Sequence, residues 1–156
     1  MSLTHEWYKT TIKNYGLDFI PFEEFKETKK IDRGGFGEIY STTYTPTSEV
    51  VILKEIFIGD EENQTSIKNF LNELKLHSSL EHDHIIKFYG VSQDSESENN
   101  IYLMMEFANE GNLRNYLLKK KDNLMWEEKI RLAIQLAEGI SYLHYEQNIA
   151  HLDLVT

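Results

Sequence analysis

Three groups in this chain have the types and the order to handle phosphate. Gly34, Gly35 and Gly37 fall within four residues and enclose one aromatic, Phe36. Backbone without Cβ approaches an anion closely and presents N–H donors to it. Lys54 closes the apolar run Val50-Val51-Ile52-Leu53. Its ammonium is a compact cation suited to phosphate oxygens. A lysine at the end of a buried strand needs a carboxylate partner to be tolerable there. Glu73, on the helix that follows, is the candidate.

The elements around these residues decide what they can be. Phe25, Lys29 and Ile31 suit an extended run before the glycines. Ile39, Tyr40, Thr42 and Tyr44 supply β-branched and aromatic strand composition after them. The glycines therefore join two strands, over 25–34 and 37–45. A dinucleotide-binding turn leads from a strand into a helix, so that chemistry is excluded. A plain hairpin turn is the simple alternative. Pro46 and Ser48 mark a turn before a third strand at 50–58. Ile67, Phe70, Leu71 and Leu74 recur at spacings of three and four, which predicts a helix over 64–80 with Glu73 on the edge of its apolar stripe. Further strands are expected from Ile85 to Val91 and from Ile101 to Phe107, separated by the polar, acidic stretch Ser92–Asn100. A short helix should run from about Gly111 to Lys120. A long one should cover 125–147, with apolar stripes on two sides (Trp126, Ile130, Ala133, Ala137 and Ile140; Leu132, Leu136 and Leu143) and hence an exposed apolar patch.

The order glycine hairpin, strand lysine, helix glutamate, then His151-Leu152-Asp153-Leu154 resembles a eukaryotic-type protein kinase domain from about residue 25 onward. The resemblance implies an α+β fold: a five-stranded antiparallel sheet with one packed helix, then part of a helical lobe. It implies a leader at 1–24 and a partial kinase domain at 25–156, with the small lobe at 25–108 and the start of the large lobe at 109–156. It also implies an ATP site lined by Ile31, Gly34, Gly35, Phe36, Gly37, Ile39, Ile52 and Lys54, with Met105, Glu106, Phe107 and Ala108 as the hinge segment. Met105 would gate the back of that site. Lys54 would hold the α- and β-phosphates and pair with Glu73. Asp153 would receive or orient the proton of a protein hydroxyl for in-line attack on the γ-phosphate.

Three residues depart from the family pattern. Asp32 stands where its first glycine is expected and brings a Cβ and a negative charge towards phosphates. Ile52 replaces a small residue that roofs adenine. Leu152 replaces an arginine that clamps a phosphorylated activation loop. The family uses Mg2+ with ATP, held by a later asparagine and an Asp-Phe-Gly, and neither occurs in these residues. The chain alone is therefore expected not to transfer phosphate. A second reading is a pseudokinase-like module that binds nucleotide weakly or serves as a scaffold or decoy for a kinase-like partner. Serine/threonine or tyrosine preference cannot be read from these residues.

Composition narrows the rest. The chain of 156 residues is long enough for a real core. Its net charge of −10 argues against nucleic acid or an anionic membrane as partner. With no cysteine, disulfides and thiol nucleophiles are excluded. Glu81-His82-Asp83-His84 has metal-like spacing but no third and fourth ligand nearby, so no metal site is expected. No signal-type or membrane-spanning segment is apparent, and a cytoplasmic or nuclear location is the default.

Overall fold

The computed structural model describes residues 10, 12–14, 16–34, 37–57, 64–94 and 100–151, and the statements below concern those. They form two units. The first is drawn from residues 1–79 and 87–107, the second from 80–86 and 108–156.

Among the described residues the first unit holds a six-stranded sheet and a packed helix, with residues 10 and 12–14 of the leader also helical. In chain order its elements are β1 (Phe19–Pro21), β2 (Phe25–Gly34), β3 (Gly37–Tyr44), β4 (Glu49–Phe57), α1 (Gln64–Ser78), β5 (Phe88–Gln93) and β6 (Asn100–Glu106). The spatial order is β1-β5-β6-β4-β3-β2. Five strands pair antiparallel, as the family resemblance implies. The sixth, β1, comes from the leader and runs parallel to β5, pairing Phe19 with Val91 and Pro21 with Gln93. β5 also begins three residues later than expected, at Phe88, and runs on to Gln93. His82 and Ile85 instead close a turn, with Ile85 N–H donating to the His82 carbonyl at 3.0 Å.

β4 and β6 are apolar on both faces because both faces are covered. On one face Ile56, Val91, Ile101 and Leu103 pack with Phe70 and Leu74 of α1 and with Ile12 of the leader. On the other, Val51, Leu53, Tyr102 and Met104 pack with Ile20 and Phe25. The leader thus contributes a buried residue to each cluster. β2, at the opposite edge, is irregular: its ladder with β3 slips between Lys26 and Lys29 and again between Lys30 and Asp32. Glu27 lies in the first slip with φ of 56°.

Gly90 is what lets the leader dock. A Cβ there would lie 2.7 Å from the Asp18 carbonyl oxygen and 2.9 Å from the Ile20 side chain. The Val91 N–H donates to that same carbonyl at 3.0 Å. Gly90→Val is therefore expected to release β1 while the rest of the sheet stays folded. Limited proteolysis should then cut the variant before Phe22 at least tenfold faster than the parent. Equal cleavage rates would reject this.

The second unit carries α2 (Leu113–Lys120), α3 (Trp126–Ser141) and a widened turn at Tyr142–Glu146. The Asn112 side chain caps α2 by accepting from Asn115 N–H at 2.8 Å. Glu127 and Glu128 lie in the first turn of α3, where the helix dipole favours them. The single helix expected over 125–147 stays regular only to Ser141. There the backbone opens to an i→i+5 bond from Gln147 N–H to the Tyr142 carbonyl, 3.1 Å. Trp126, Ile130, Ile134 and Leu136 of α3 are all exposed, whereas Leu143, in the widened turn, is buried.

The Glu81-His82-Asp83-His84 stretch is spent on packing within this unit. The His82 ring stacks on Tyr142 with centroids 4.8 Å apart. His84 bonds Glu138 at 2.9 Å. The Tyr142 hydroxyl accepts the Glu81 N–H at 3.0 Å. Gly139 leaves room for this stretch, since a Cβ there would lie 3.1 Å from the His84 carbonyl oxygen. Among the described residues no helix is long and apolar enough to cross a membrane.

Candidate functional site

Alternation along β4 puts Ile52, Lys54 and Ile56 on the face that α1 covers. α1 buries Phe70 and Leu74 completely, one turn apart. Glu73, beside Leu74, is carried to the edge of that contact and reaches the sheet. Lys54 Nζ donates to Glu73 Oε1 across 19 residues of sequence. The two side chains are only 21% and 17% exposed, so the pair is partly desolvated and each charge needs the other.

A third group shares the same oxygen. His77 Nε2 lies 3.5 Å from Glu73 Oε1, one helical turn on. The His77 ring is held by stacking on Phe88, with centroids 6.2 Å apart. The hydrogen bond from His77, then the hydrogen bond and charge of Lys54, pull the Glu73 carboxyl down to about 2 against the opposing effect of burial. Lys54 is the closer partner. His77 was not singled out from the sequence, although its i+4 spacing from Glu73 was legible there.

The glycine hairpin lies alongside. Gly34 pairs with Gly37, Arg33 with Glu38 and Asp32 with Ile39. Ile39 in turn pairs with Lys54, and Ser41 with Ile52. Ile39 and Ile52 therefore share the face of Lys54 and flank it. Ile31 falls in the second slip of β2 and is half exposed. Asp32 Oδ1 accepts the Arg33 N–H at 2.7 Å. Gly37 approaches the neighbouring backbone so closely that a Cβ there would lie 2.1 Å from the Glu55 carbonyl oxygen. Gly35, Phe36 and Asp153 lie outside the described residues.

At the other side of β4, Met105 pairs with Ile52 and packs against the α1-side core. Glu106 is fixed by two bonds to Lys87: its N–H donates to the Lys87 carbonyl at 2.9 Å, and its carboxylate accepts the Lys87 N–H at 3.2 Å. Phe107 closes the first unit and is half-buried, whereas Ala108 opens the second and is exposed. The first unit thus brings Ile39, Ile52, Lys54, Glu73 and Met105 onto one surface.

A protein family described as protein tyrosine and serine/threonine kinase matches residues 25–156. LIM domain kinase 1 of Drosophila melanogaster is 34% identical over 126 residues, covering 81% of this chain and 10% of its own. Cysteine-rich receptor-like protein kinase 7 of Arabidopsis thaliana is 32% identical over 154 residues, covering 94% of this chain and 22% of its own. The chain therefore spans less than a quarter of the length of either relative.

Proposed function

The chain belongs to the protein tyrosine and serine/threonine kinase family, and from that premise we propose that it binds ATP on the face that carries Lys54. The observation that carries this reading is the Lys54–Glu73 ion pair beside the glycine hairpin. Glu73 holds the ammonium in place, and the ammonium meets the α- and β-phosphates. Ile39 offers apolar contact to the base, and Ile52 narrows the space for it, with Met105 behind. Backbone of the glycine hairpin covers the phosphates and keeps water away.

In a longer form, the protein transfers the γ-phosphate of ATP to serine, threonine or tyrosine hydroxyls of a protein substrate. Asp153 then takes or orients the hydroxyl proton. The family generally uses Mg2+ with ATP, but the described residues do not fit the ion. Among the described residues no group of three or more His, Cys, Asp or Glu could hold a metal, and the sequence contains no Asp-Phe-Gly. The 156 residues alone are proposed to bind ATP without transferring its phosphate.

Thermal melting tests the binding. Millimolar ATP should raise the melting temperature, and Lys54→Ala should abolish the rise. No rise in the parent chain would favour the second reading, a scaffold or decoy for a kinase-like partner, to which Asp32 and Ile52 also point. Ile52→Ala tests the roof. Removing its branched side chain beside Met105 should strengthen ATP and adenosine alike, by about threefold to tenfold, as expected for one relieved apolar clash. Unchanged affinity for both would show that Ile52 does not narrow the base site.

A further inference from the structure

Asp32 is the residue of the glycine turn whose charge opposes an anionic ligand, and the strand register fixes where it points. Directly opposed residues of an antiparallel ladder place their side chains on the same face. Asp32 is opposed to Ile39, and Ile39 to Lys54. All three therefore share the face that carries the Lys54–Glu73 pair.

The adjacent cation does not offset this charge. Arg33 is opposed to Glu38, on the other face. There the Glu38 carboxylate accepts from Lys30 and from the Tyr40 hydroxyl. Hydrogen bonds from Lys30 and Tyr40 hold that carboxyl below its usual range, and the charge of Arg33 adds to the effect. Arg33 thus serves Glu38. To Asp32 it gives only its backbone N–H, which orients the carboxylate without supplying a full charge. Lys26 and Lys29, opposed to Thr43 and Ser41, are the cations on this face of β2, and both lie farther from the glycines. At the glycine end the phosphate path therefore meets a carboxylate on β2 and an ammonium on β4.

We propose that Asp32 is a specificity-determining residue that holds down the affinity for nucleoside triphosphate relative to the uncharged nucleoside. The inference rests on the nucleotide reading above. A like charge a few ångströms from a phosphate opposes binding in proportion to the charge of the ligand and is weakened by salt. Adenosine carries no charge for Asp32 to act on, whereas ATP carries several.

Calorimetric titration of ATP, ADP and adenosine into the parent chain, Asp32→Asn and Asp32→Gly tests it. Asp32→Asn keeps the shape and removes the charge. It should raise ATP affinity about tenfold at low salt, the size expected for removing one like charge near a protein surface. It should raise ADP affinity less and leave adenosine unchanged. The gain for ATP should shrink as salt is added. Equal gains for ATP and adenosine, or a gain with Asp32→Gly but none with Asp32→Asn, would overturn the proposal in favour of a purely steric role. Adenosine binding that is unchanged throughout, with no ATP gain in either variant, would overturn it while leaving the nucleotide reading intact. If neither ligand binds any of the three proteins, the nucleotide reading fails and this inference fails with it.

Discussion

Replacing Gly37 with alanine is expected to disrupt the hairpin and to cost more stability than the same change at Gly16 or Gly90. The Cβ would sit 2.1 Å from the carbonyl oxygen of Glu55 and 2.9 Å from its carbon. Both are backbone atoms of β4, which is paired on both sides by β3 and β6. No side chain can rotate out of the way, so β3 would have to lift from β4. Strain of this kind costs about 3 kcal/mol or more. Urea denaturation would read it as a lower midpoint with an unchanged slope. ATP-dependent stabilisation should disappear in parallel, because Ile39 and the glycines are carried on the same hairpin. A midpoint equal to that of the parent would show that Gly37 does not make this contact in solution.

The second large effect is the dependence of stability on pH through Glu73. In the folded chain its carboxyl is held at about 2, against the usual 4.5. The folded state therefore binds that proton less readily than the unfolded state. The resulting stabilisation is complete above pH 4.5 and is lost as pH falls from 4.5 towards 2. Its size is on the order of 2 kcal/mol once screening by solvent is allowed for. Lys54→Ala leaves the carboxylate with His77 alone, 3.5 Å away. The variant should lose about that amount at neutral pH, because a partly buried charge has lost its main partner. Its stability should also fall less steeply between pH 4.5 and 2 than that of the parent. Denaturation at a series of pH values would show this. Two parallel curves would mean that Glu73 and Lys54 are not coupled.

The Lys54–Glu73 pair was legible in the sequence because each residue sits in a pattern with a period. Lys54 ends a strand run, and Glu73 borders a helical stripe. The link between them lies in the order of motifs, which depends on the family and not on local pattern. β1 left no such trace. It is three residues long, includes a proline and pairs with residues far along the chain. Parallel pairing at that separation has no local signature. Gly90 gave no more warning, since a lone glycine in a strand does not reveal which backbone comes close to it. The late start of β5 follows from tertiary contact: Ile85 and Ile86 look like strand, but the preceding turn and the His82–Tyr142 stack hold that segment in the second unit. The face chosen by Asp32 depends on the slip at Ile31. A one-residue slip reverses every side chain beyond it, and the sequence alone did not show that slip.

The irregular course of β2 has a consequence for how the protein behaves at high concentration. A sheet that does not close has two edges, and each is a template for pairing with another copy. Here one edge is β1, short and carrying Pro21, which has no N–H to offer. The other is β2, ten residues long, with two slips, a left-handed residue at Glu27, and Lys26, Lys29, Lys30 and Arg33 along it. Slips bend a strand and leave its outer hydrogen-bonding groups out of line, and charges repel an identical neighbour. The same irregularity that orients Asp32 thus guards the sheet against edge-to-edge polymerisation, so a substitution that straightened β2 would be paid for in fibrils before it was noticed in folding.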